Sequence, residues 1–327
     1  MTLREPNGVT SRLVCLDTVM VDVALDIGDL PPRGGDALSS QRTIAAGGGF
    51  NVMSAARRQG HDVAYLGQLG LGPMADLARA TLEGEGVEIL VNPRGPLDLG
   101  LCIVLVDQGA ERTFVTSPGA ELTLSGDELR RVRWREGDVL YVSGYDVVYP
   151  DLAQVVVPWL SELDAGVVVG FDPGPRALDI DDSVRDAVLS RTNWLLLNDA
   201  EARLLSKADS PERAIRYFTE RYDLDGVVVR LGARGCVVRA REELWDVGGF
   251  SVTARDTNGA GDVHNGVMLA ALVAGESVEV AARRANAAAA LSVTVFGPAT
   301  GPSQRATDDF LEDRAHEARP VVLEPNP

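Results

Sequence analysis

The sequence predicts an α/β fold in which helices cover both faces of a mostly parallel central sheet. Short apolar runs rich in Val, Leu and Ile alternate with amphipathic stretches through most of the chain. A strand that is covered on both faces is apolar throughout, so such runs suit a parallel sheet. Their alternation with segments of helical spacing predicts a sheet sandwiched between helices.

The predicted elements are bounded by Gly, Asp or Asn. Strands are predicted at residues 13–16, 63–66, 139–142, 167–171, 194–197 and 227–231. Helices are predicted at residues 51–59, 73–82, 199–205, 211–222 and 280–291. From about residue 305 the pattern is helical to about residue 319, and the chain then ends in proline-rich coil.

Two segments depart from this pattern and predict a second, small sheet. Residues 19–27 are apolar at odd positions, which is the period of a half-exposed strand, and residues 100–115 predict a hairpin that turns at residues 107–109. Together they predict a β lid formed by about residues 17–44 and 97–118. We therefore expect one domain over residues 1–327, with a C-terminal helix and tail at 304–327.

Composition excludes several classes of function. The 31 basic and 48 acidic side chains give a formal charge of −17, which disfavours binding to nucleic acid or an anionic membrane. Three widely spaced cysteines predict buried thiols in a reducing compartment, hence a cytoplasmic protein. No apolar run approaches the roughly 18 residues that a bilayer span needs.

The most informative segment is Asp-Thr-Asn-Gly-Ala-Gly-Asp at residues 256–262, which opens an apolar helix. The first N–H groups of a helix lack internal partners and carry the positive end of its dipole, so Gly259, Ala260 and Gly261 predict a hole for a phosphoryl group. Asp262 follows in the first turn, where its carboxylate can take the proton of a hydroxyl held at the same hole. A simple helix-capping turn is the alternative interpretation.

A second glycine-rich segment, Gly-Gly-Gly-Phe-Asn at residues 47–51, precedes the first predicted helix. Its glycines allow a ligand to approach the backbone, and Asn51 offers a donor and an acceptor to a sugar hydroxyl. The alternative is a plain strand-to-helix turn. The chain contains no P-loop and no complete Gly-x-Gly-x-x-Gly motif, which argues against P-loop NTPases and Rossmann dehydrogenases.

In this order and separation, the two glycine-rich segments resemble the paired signatures of the ribokinase, or PfkB, family of carbohydrate and nucleoside kinases. The resemblance spans residues 12–303. It implies a ribokinase-like three-layer sandwich with a small β-sheet lid. It also implies that ATP, with Mg²⁺, donates its γ-phosphoryl group to a hydroxyl of a sugar or nucleoside, with Asp262 as the base.

The resemblance implies roles for further residues. Asp22, Gly47, Gly48 and Asn51 would bind the acceptor hydroxyls. Asn198 and Glu201 match an Asn-x-x-Glu motif that organises Mg²⁺ and phosphates through water, although a helix cap also explains them. On the nucleotide side the resemblance implies Arg230, Gly232, Gly235 and Asn286. A buried asparagine that caps a neighbouring loop is the alternative for Asn286.

Three features depart from the family pattern. Arg230 stands where a threonine is common, which would alter nucleotide contacts. His264 replaces an aromatic residue, and it either lines the substrate pocket or packs in the helix. Relatives bind an activating monovalent cation near Asp256, Asn258 and the loop at residues 294–298, so K⁺ is a candidate, but this loop lacks the basic residues often found there.

The sequence leaves the acceptor open. A nucleoside would need an aromatic slot, for which Phe50, Phe114 and Tyr145 are candidates. A sugar phosphate would need basic side chains, for which the candidates are Arg33, Arg42 and Arg112. From a different class, a non-catalytic sugar-binding regulatory protein would be expected to have lost Asp262 or the glycines. The family resemblance implies that lid sheets pair across a two-fold axis, and the apolar face of residues 19–27 would suit such a homodimer.

Overall fold

The computed structural model describes residues 11–109 and 111–323. The outer ends of the predicted domain and tail, residues 1–10 and 324–327, lie outside the described residues. No helix in the described ranges is both long and apolar enough to cross a bilayer. The three cysteines are unpaired and buried, as predicted.

The strands and helices follow in chain order. The strands are β1 Arg12–Leu16, β2 Val19–Asp26, β3 Gln41–Gly48, β4 Asp62–Tyr65, β5 Glu88–Ile89, β6 Leu101–Val106, β7 Arg112–Ser117, β8 Val139–Ser143, β9 Val168–Asp172, β10 Trp194–Asn198, β11 Gly226–Arg230, β12 Gly235–Ala240, β13 Glu243–Gly248 and β14 Pro320–Val322. The helices are α1 Phe50–Arg58, α2 Pro73–Glu85, α3 Gly126–Arg130, α4 Tyr145–Val148, α5 Pro150–Glu162, α6 Asp182–Arg191, α7 Asp199–Ser206, α8 Pro211–Thr219, α9 Ala260–Val273, α10 Val278–Ser292 and α11 Gln304–Asp313.

The large sheet has the strand order β14-β13-β12-β11-β10-β9-β8-β1-β4-β5. Its pairs are parallel from β11 to β5 and antiparallel from β11 to β14. Each of the six predicted strands is present to within a residue or two. The carboxyl ends of the parallel strands therefore meet along one edge, where α/β proteins place their ligands.

Both faces of this sheet are covered, which explains the continuous apolar runs. In β1, Leu13 and Cys15 belong to one core cluster with residues of α1, α9 and α10. Val14 and Leu16 belong to the cluster on the other face with residues of α5 and α8. All four side chains are buried, so this strand lacks the alternation of apolar and polar residues that a half-exposed strand shows.

The small sheet has the order β3-β2-β6-β7 and accounts for the two departing segments. Side chains alternate between its faces, so the pairing registers place Asp22, Phe114 and Arg112 on one face, which we call the inner face. By the same registers Ile44 and Val115 share the opposite, outer face.

The structure corrects the sequence prediction at several elements. The C-terminal coil contains strand β14, because residues 320–322 pair with the open edge of β13. Helix α8 ends at Thr219, three residues before its predicted end. Val19 and Val21, expected on a free dimerisation face, are fully buried in the core of the same chain. The strands β3, β12 and β13 were not predicted.

Candidate active site

A cavity of about 590 Å³ opens at the carboxyl edge of the large sheet. Its volume is typical of a small-molecule site. It is lined by Asn198, Arg230, Gly232, Ala233, Gly235, Gly249, Phe250, Ser251, Val252, Ala254, Thr257, Ala260, Gly261, His264, Asn286, Ala289, Ala290 and Val293. The residues predicted on the nucleotide side and two residues of the predicted phosphoryl hole therefore share one cavity.

The segment at residues 259–262 has the predicted geometry of a helix start. Gly259 caps α9 in the left-handed conformation, with φ of 73°, which favours glycine at this position. Helix α9 begins at Ala260, so its first N–H groups have no partner within the helix. Asp262 lies in the first turn, as predicted from the sequence.

Asp262 lies among polar and charged groups that set its pKa. Asn51 Nδ2 donates a hydrogen bond to Asp262 Oδ2 at 3.0 Å. Burial, helped by the charges of Asp172 and Asp22, raises the pKa of Asp262 to about 6, while Asn51 and Arg230 oppose the change. A carboxylate with a pKa near 6 is ionised at neutral pH and is a stronger proton acceptor than an ordinary aspartate.

The acceptor residues predicted from the second glycine-rich segment lie beside Asp262. Asn51 also accepts a hydrogen bond from the Ala299 N–H at 2.9 Å, so its amide joins α1 to Asp262 and to the loop after α10. A Cβ at Gly47 would lie 2.1 Å from Asp22 Oδ2, and one at Gly48 would lie 2.3 Å from the Thr18 carbonyl oxygen. Gly47 therefore leaves room for the Asp22 carboxylate, and Gly48 allows the close approach of the backbone that leads into β2. Burial raises the pKa of Asp22 to about 6.

Arg230 forms a cluster of buried polar groups that sequence reasoning missed. Its guanidinium donates to Asp172 Oδ2 at 3.1 Å and to Asn265 Oδ1, and Asn265 donates to Asp172 at 2.5 Å. A Cβ at Gly261 would lie 3.7 Å from Arg230 Cζ, so the positive charge lies against the helix start. Two signals could have found it: Asp172 directly follows the predicted strand at residues 167–171, and Asn265 lies three residues after Asp262 on one helix face.

Asn198 and Glu201 form a reciprocal helix cap on α7. The Asn198 side chain accepts from the Glu201 N–H, and Glu201 accepts from the Asn198 N–H at 2.8 Å. Glu201 Oε2 also lies 3.7 Å from Arg230 Nη2. Burial, helped by the charge of Asp172, raises the pKa of Glu201 to about 7, while Arg230 and Asn198 oppose the change. The capping alternative is therefore confirmed as a structural feature.

His264 and Asn286 lie together on the nucleotide side of the cavity. His264 Nε2 lies 3.2 Å from Asn286 Oδ1, and Asn286 donates to the carbonyls of Val247 and Gly248. Burial, together with the charge of Arg230, lowers the pKa of His264 to about 3, so the ring is neutral. His264 thus lines the cavity beside Arg230, and Asn286 also caps the end of β13.

Two further buried carboxylates, Asp17 and Asp146, were missed by the sequence analysis. Asp146 accepts a hydrogen bond from the Ser143 N–H at 2.9 Å. Burial and the charges of Asp146 and Asp262 raise the pKa of Asp17, and burial raises the pKa of Asp146 to about 7. Asp17 directly follows β1, and its position at the carboxyl end of a strand could have identified it as a candidate site residue.

Comparison with known proteins decides the family. Residues 10–305 match the family described as pfkB family carbohydrate kinase. The chain belongs to the pfkB family of carbohydrate kinases. This pfkB kinase is a phosphotransferase with an alcohol group as acceptor, as the sequence predicted.

Its relatives cover nearly its whole length. The pfkB kinase is 29% identical to the Escherichia coli (strain K12) sugar kinase YegV, over 93% of this chain and 95% of that protein. It is also 29% identical to the ATP-dependent ribose-1-phosphate kinase of Halopiger xanaduensis, over 93% of this chain and 99% of that protein. A structure of a putative ribokinase II from E. coli, in complex with ATP and Mg²⁺, has a TM-score of 0.78 at 24% identity and covers 93% of this chain and 100% of that one. The predicted ribokinase-like fold is therefore confirmed.

Proposed function

We propose that this pfkB kinase transfers the γ-phosphoryl group of ATP to a hydroxyl of an unphosphorylated sugar, with Asp262 as the general base. The observation that carries the proposal is the position of Asp262. Its carboxylate lies in the first turn of α9, directly after the glycines of the predicted phosphoryl hole, and it is hydrogen-bonded to Asn51. A base and an anion-binding helix start are therefore adjacent.

The proposed reaction assigns a role to each of these groups. The acceptor hydroxyl, held by Asp22, Asn51 and the backbone at Gly47 and Gly48, gives its proton to Asp262 as its oxygen attacks the γ-phosphorus. The new P–O bond forms as the bond to the β-phosphate oxygen breaks, and ADP leaves. The N–H groups of Gly259, Ala260 and Gly261 stabilise the charge on the transferred group, since phosphoryl transfer depends mainly on positioning and electrostatics.

ATP would occupy the large cavity. Gly232 and Gly235 leave room for the phosphates, and Ala289 and Ala290 give the base a flat apolar wall near Asn286. Support for ATP with Mg²⁺ comes from the putative ribokinase II, which was solved with both. In this chain both Glu201 oxygens are already bonded to Asn198. Asn198 and Glu201 would therefore hold Mg²⁺ through water, and the ion would neutralise charge on the phosphates.

No group of three or more His, Cys, Asp or Glu side chains that could hold a metal occurs among residues 11–109 and 111–323. This arrangement fits an ion that keeps several waters and binds mainly to substrate phosphates, which is how Mg²⁺ commonly binds in kinases.

Charge on the acceptor side favours an unphosphorylated acceptor. Asp22 and Asp262, each with a pKa of about 6, are negatively charged there at neutral pH, which would repel a sugar phosphate. Of the basic candidates, Arg112 is paired with Asp256, and Arg42 lies on the outer face of the lid.

A nucleoside acceptor is a second candidate. The observation that favours it is Phe114, which is 58% exposed and shares the inner lid face with Asp22. An exposed ring at this position offers a stacking surface for a base. Of the other aromatic candidates, Phe50 is buried in the core and Tyr145 is partly exposed near Asp17 and Asp262.

An acceptor screen tests both candidates. ADP release would be measured with MgATP and matched triplets, such as ribose, ribose 5-phosphate and adenosine. We expect turnover with a free sugar and at least about tenfold lower kcat/KM with its phosphate, since like charges in a site disfavour binding. Preference for the phosphate would contradict the unphosphorylated acceptor, and preference for adenosine would select the nucleoside alternative. If none of the compounds in a broad panel led to ADP release, the non-catalytic alternative would be favoured.

We also propose a homodimer formed through the outer face of the lid. Ile44 and Val115, which share this face, are 45% and 57% exposed. An apolar face on a small sheet favours association with a second copy. A cytoplasmic location remains a prediction.

A further inference from the structure

Asp256 is the meeting point of three segments. Its Oδ1 accepts from Arg112 of the lid at 2.7 Å and from the Asn258 N–H at 3.0 Å, and its Oδ2 accepts from the Gly297 N–H at 3.2 Å. The Asp256 side chain is 3% exposed and that of Arg112 is 27% exposed. The buried carboxylate thus has a positively charged partner that the lid supplies.

Two routes connect this ion pair to Asp262. Along the chain, Asp256 and Asn258 lead directly into Gly259, which caps α9. Through space, the loop fixed at Gly297 reaches Ala299, whose N–H is bonded to Asn51, and Asn51 is bonded to Asp262. The lid hairpin and the proposed base are therefore connected through these hydrogen bonds and two short segments of chain.

The same contacts do not fit a monovalent cation. Such an ion would need oxygen atoms around Asp256 and the loop after α10. Both Asp256 oxygens are bonded, and the neighbouring Val293 carbonyl already accepts from the N–H groups of Arg255 and Asp256. The cation-binding role that the family resemblance implies for Asp256 and Asn258 therefore conflicts with the structure.

We propose that Arg112 is a positioning residue that takes the place of a bound monovalent cation at Asp256. The inference rests on the proposed function, because the geometry that Arg112 fixes is that of the phosphoryl hole and Asp262. The lid supplies the charge, so its hairpin is tied to the segment that forms the hole. The kinase then needs no K⁺ to order residues 256–262.

Hydrogen exchange of the unliganded protein tests the proposal without any phosphoryl transfer. Exchange in residues 256–263 and 294–300 would be compared in KCl and in choline chloride at equal ionic strength. The variants are Arg112→Ala, which opens space for an ion, and Arg112→Lys, which keeps the charge. The control is Arg213→Ala, which removes an exposed ion pair with Asp209. Arg213 lies in helix α8, outside the segments that are compared.

We expect wild type, Arg112→Lys and Arg213→Ala to exchange equally in both salts. Arg112→Ala should exchange at least about tenfold faster in choline chloride, because loss of the ion pair loosens the segment, and KCl should slow it again. The proposal would be overturned if the wild type exchanged more slowly in KCl than in choline chloride. It would also be overturned if Arg112→Ala were as protected as the wild type in choline chloride, or if that variant exchanged fast in both salts. If Arg112→Ala does not fold, Arg112→Gln replaces it, and the wild-type comparison still decides whether K⁺ binds.

Once an acceptor is known, kcat gives a second measurement. Wild-type kcat should change less than about twofold between the two salts, and the kcat of Arg112→Ala should fall about tenfold or more and recover with K⁺. Failure to find an acceptor would count against the proposed function and would leave the exchange result unaffected.

Discussion

At the scale of single residues, Asp262 must be ionised to accept a proton, yet it lies in a site that penalises its charge. Burial and the neighbouring Asp172 and Asp22 raise its pKa to about 6. The group binds a proton more tightly in the folded protein than in the unfolded chain, so the carboxylate is ready as a base only above about pH 6.

We therefore expect acceptor kcat/KM, at saturating MgATP, to be nearly constant above pH 7 and to fall about tenfold per unit well below pH 6. Asp22 has a similar pKa, and Asp22→Asn distinguishes the two carboxylates. It should lower kcat/KM while the decline persists, moved slightly to lower pH because the charge of Asp22 helps to raise the pKa of Asp262. Activity that stays constant down to pH 4.5 would contradict a base with the raised pKa.

Arg230 offers a test of stability at the same scale. Its side chain is 12% exposed and lies between Asp172 and Glu201. Arg230→Met leaves these buried carboxylates without their positive partner, so the free energy of unfolding should fall by about 3 kcal/mol or more, measured by urea denaturation. Arg130→Met, which removes an exposed pair with Glu162, should leave the free energy of unfolding nearly unchanged. Equal losses in both variants would contradict the buried cluster.

The sequence predicted the residues near Asp262 because local spacing carried the signal. Residues 259–262 are contiguous in the chain, so a helix start could be recognised from them alone. The cluster of Arg230, Asp172 and Asn265 could not be predicted in this way, since it joins β9, β11 and α9 across 93 residues of sequence. Which side chains meet there depends on strand order, which no local pattern specifies.

At the scale of elements, α7 begins with a cap that also borders the cavity. Replacing Glu201 by Gln keeps an oxygen to accept from Asn198 but removes the charge. We expect the Mg²⁺ concentration for half-maximal rate to rise about threefold or more with little change in acceptor KM, because a water-mediated carboxylate helps to hold the ion. A normal Mg²⁺ titration with only a lower melting temperature would leave Glu201 with its capping role alone.

The lid is the second element that can be tested. Strand β2 carries Asp22, so acceptor binding should order the small sheet and exclude water from the reacting phosphate. Hydrogen exchange in residues 17–30 and 100–116 should slow when a turned-over acceptor is added, while exchange in α11 should stay constant. Unchanged exchange in the two lid segments would contradict the lid assignment.

At the scale of the whole molecule, the central parallel strands could be predicted and the edges of the sheet could not. Strands such as β1 and β10 are buried on both faces, which makes them apolar throughout. Strand β14 has three residues, which are too few to show a strand period in the sequence. It pairs with the edge strand β13, and a local pattern does not reveal such a pairing. The lid sheet was predicted at β2, where alternation is visible, and was missed at glycine-rich β3.

The proposed function depends most directly on Asp262 as the base of the kinase. The most direct measurement is transfer of ³²P from [γ-³²P]ATP to the best acceptor by wild type and by Asp262→Asn. The variant keeps the size of the side chain but cannot accept the proton, so kcat should fall by at least about a hundredfold while ATP affinity changes far less. Its melting temperature should stay equal or rise slightly, because the charge that burial penalises is gone. A variant that retains more than about a tenth of the wild-type kcat, or a wild type that labels no acceptor, would contradict the claim.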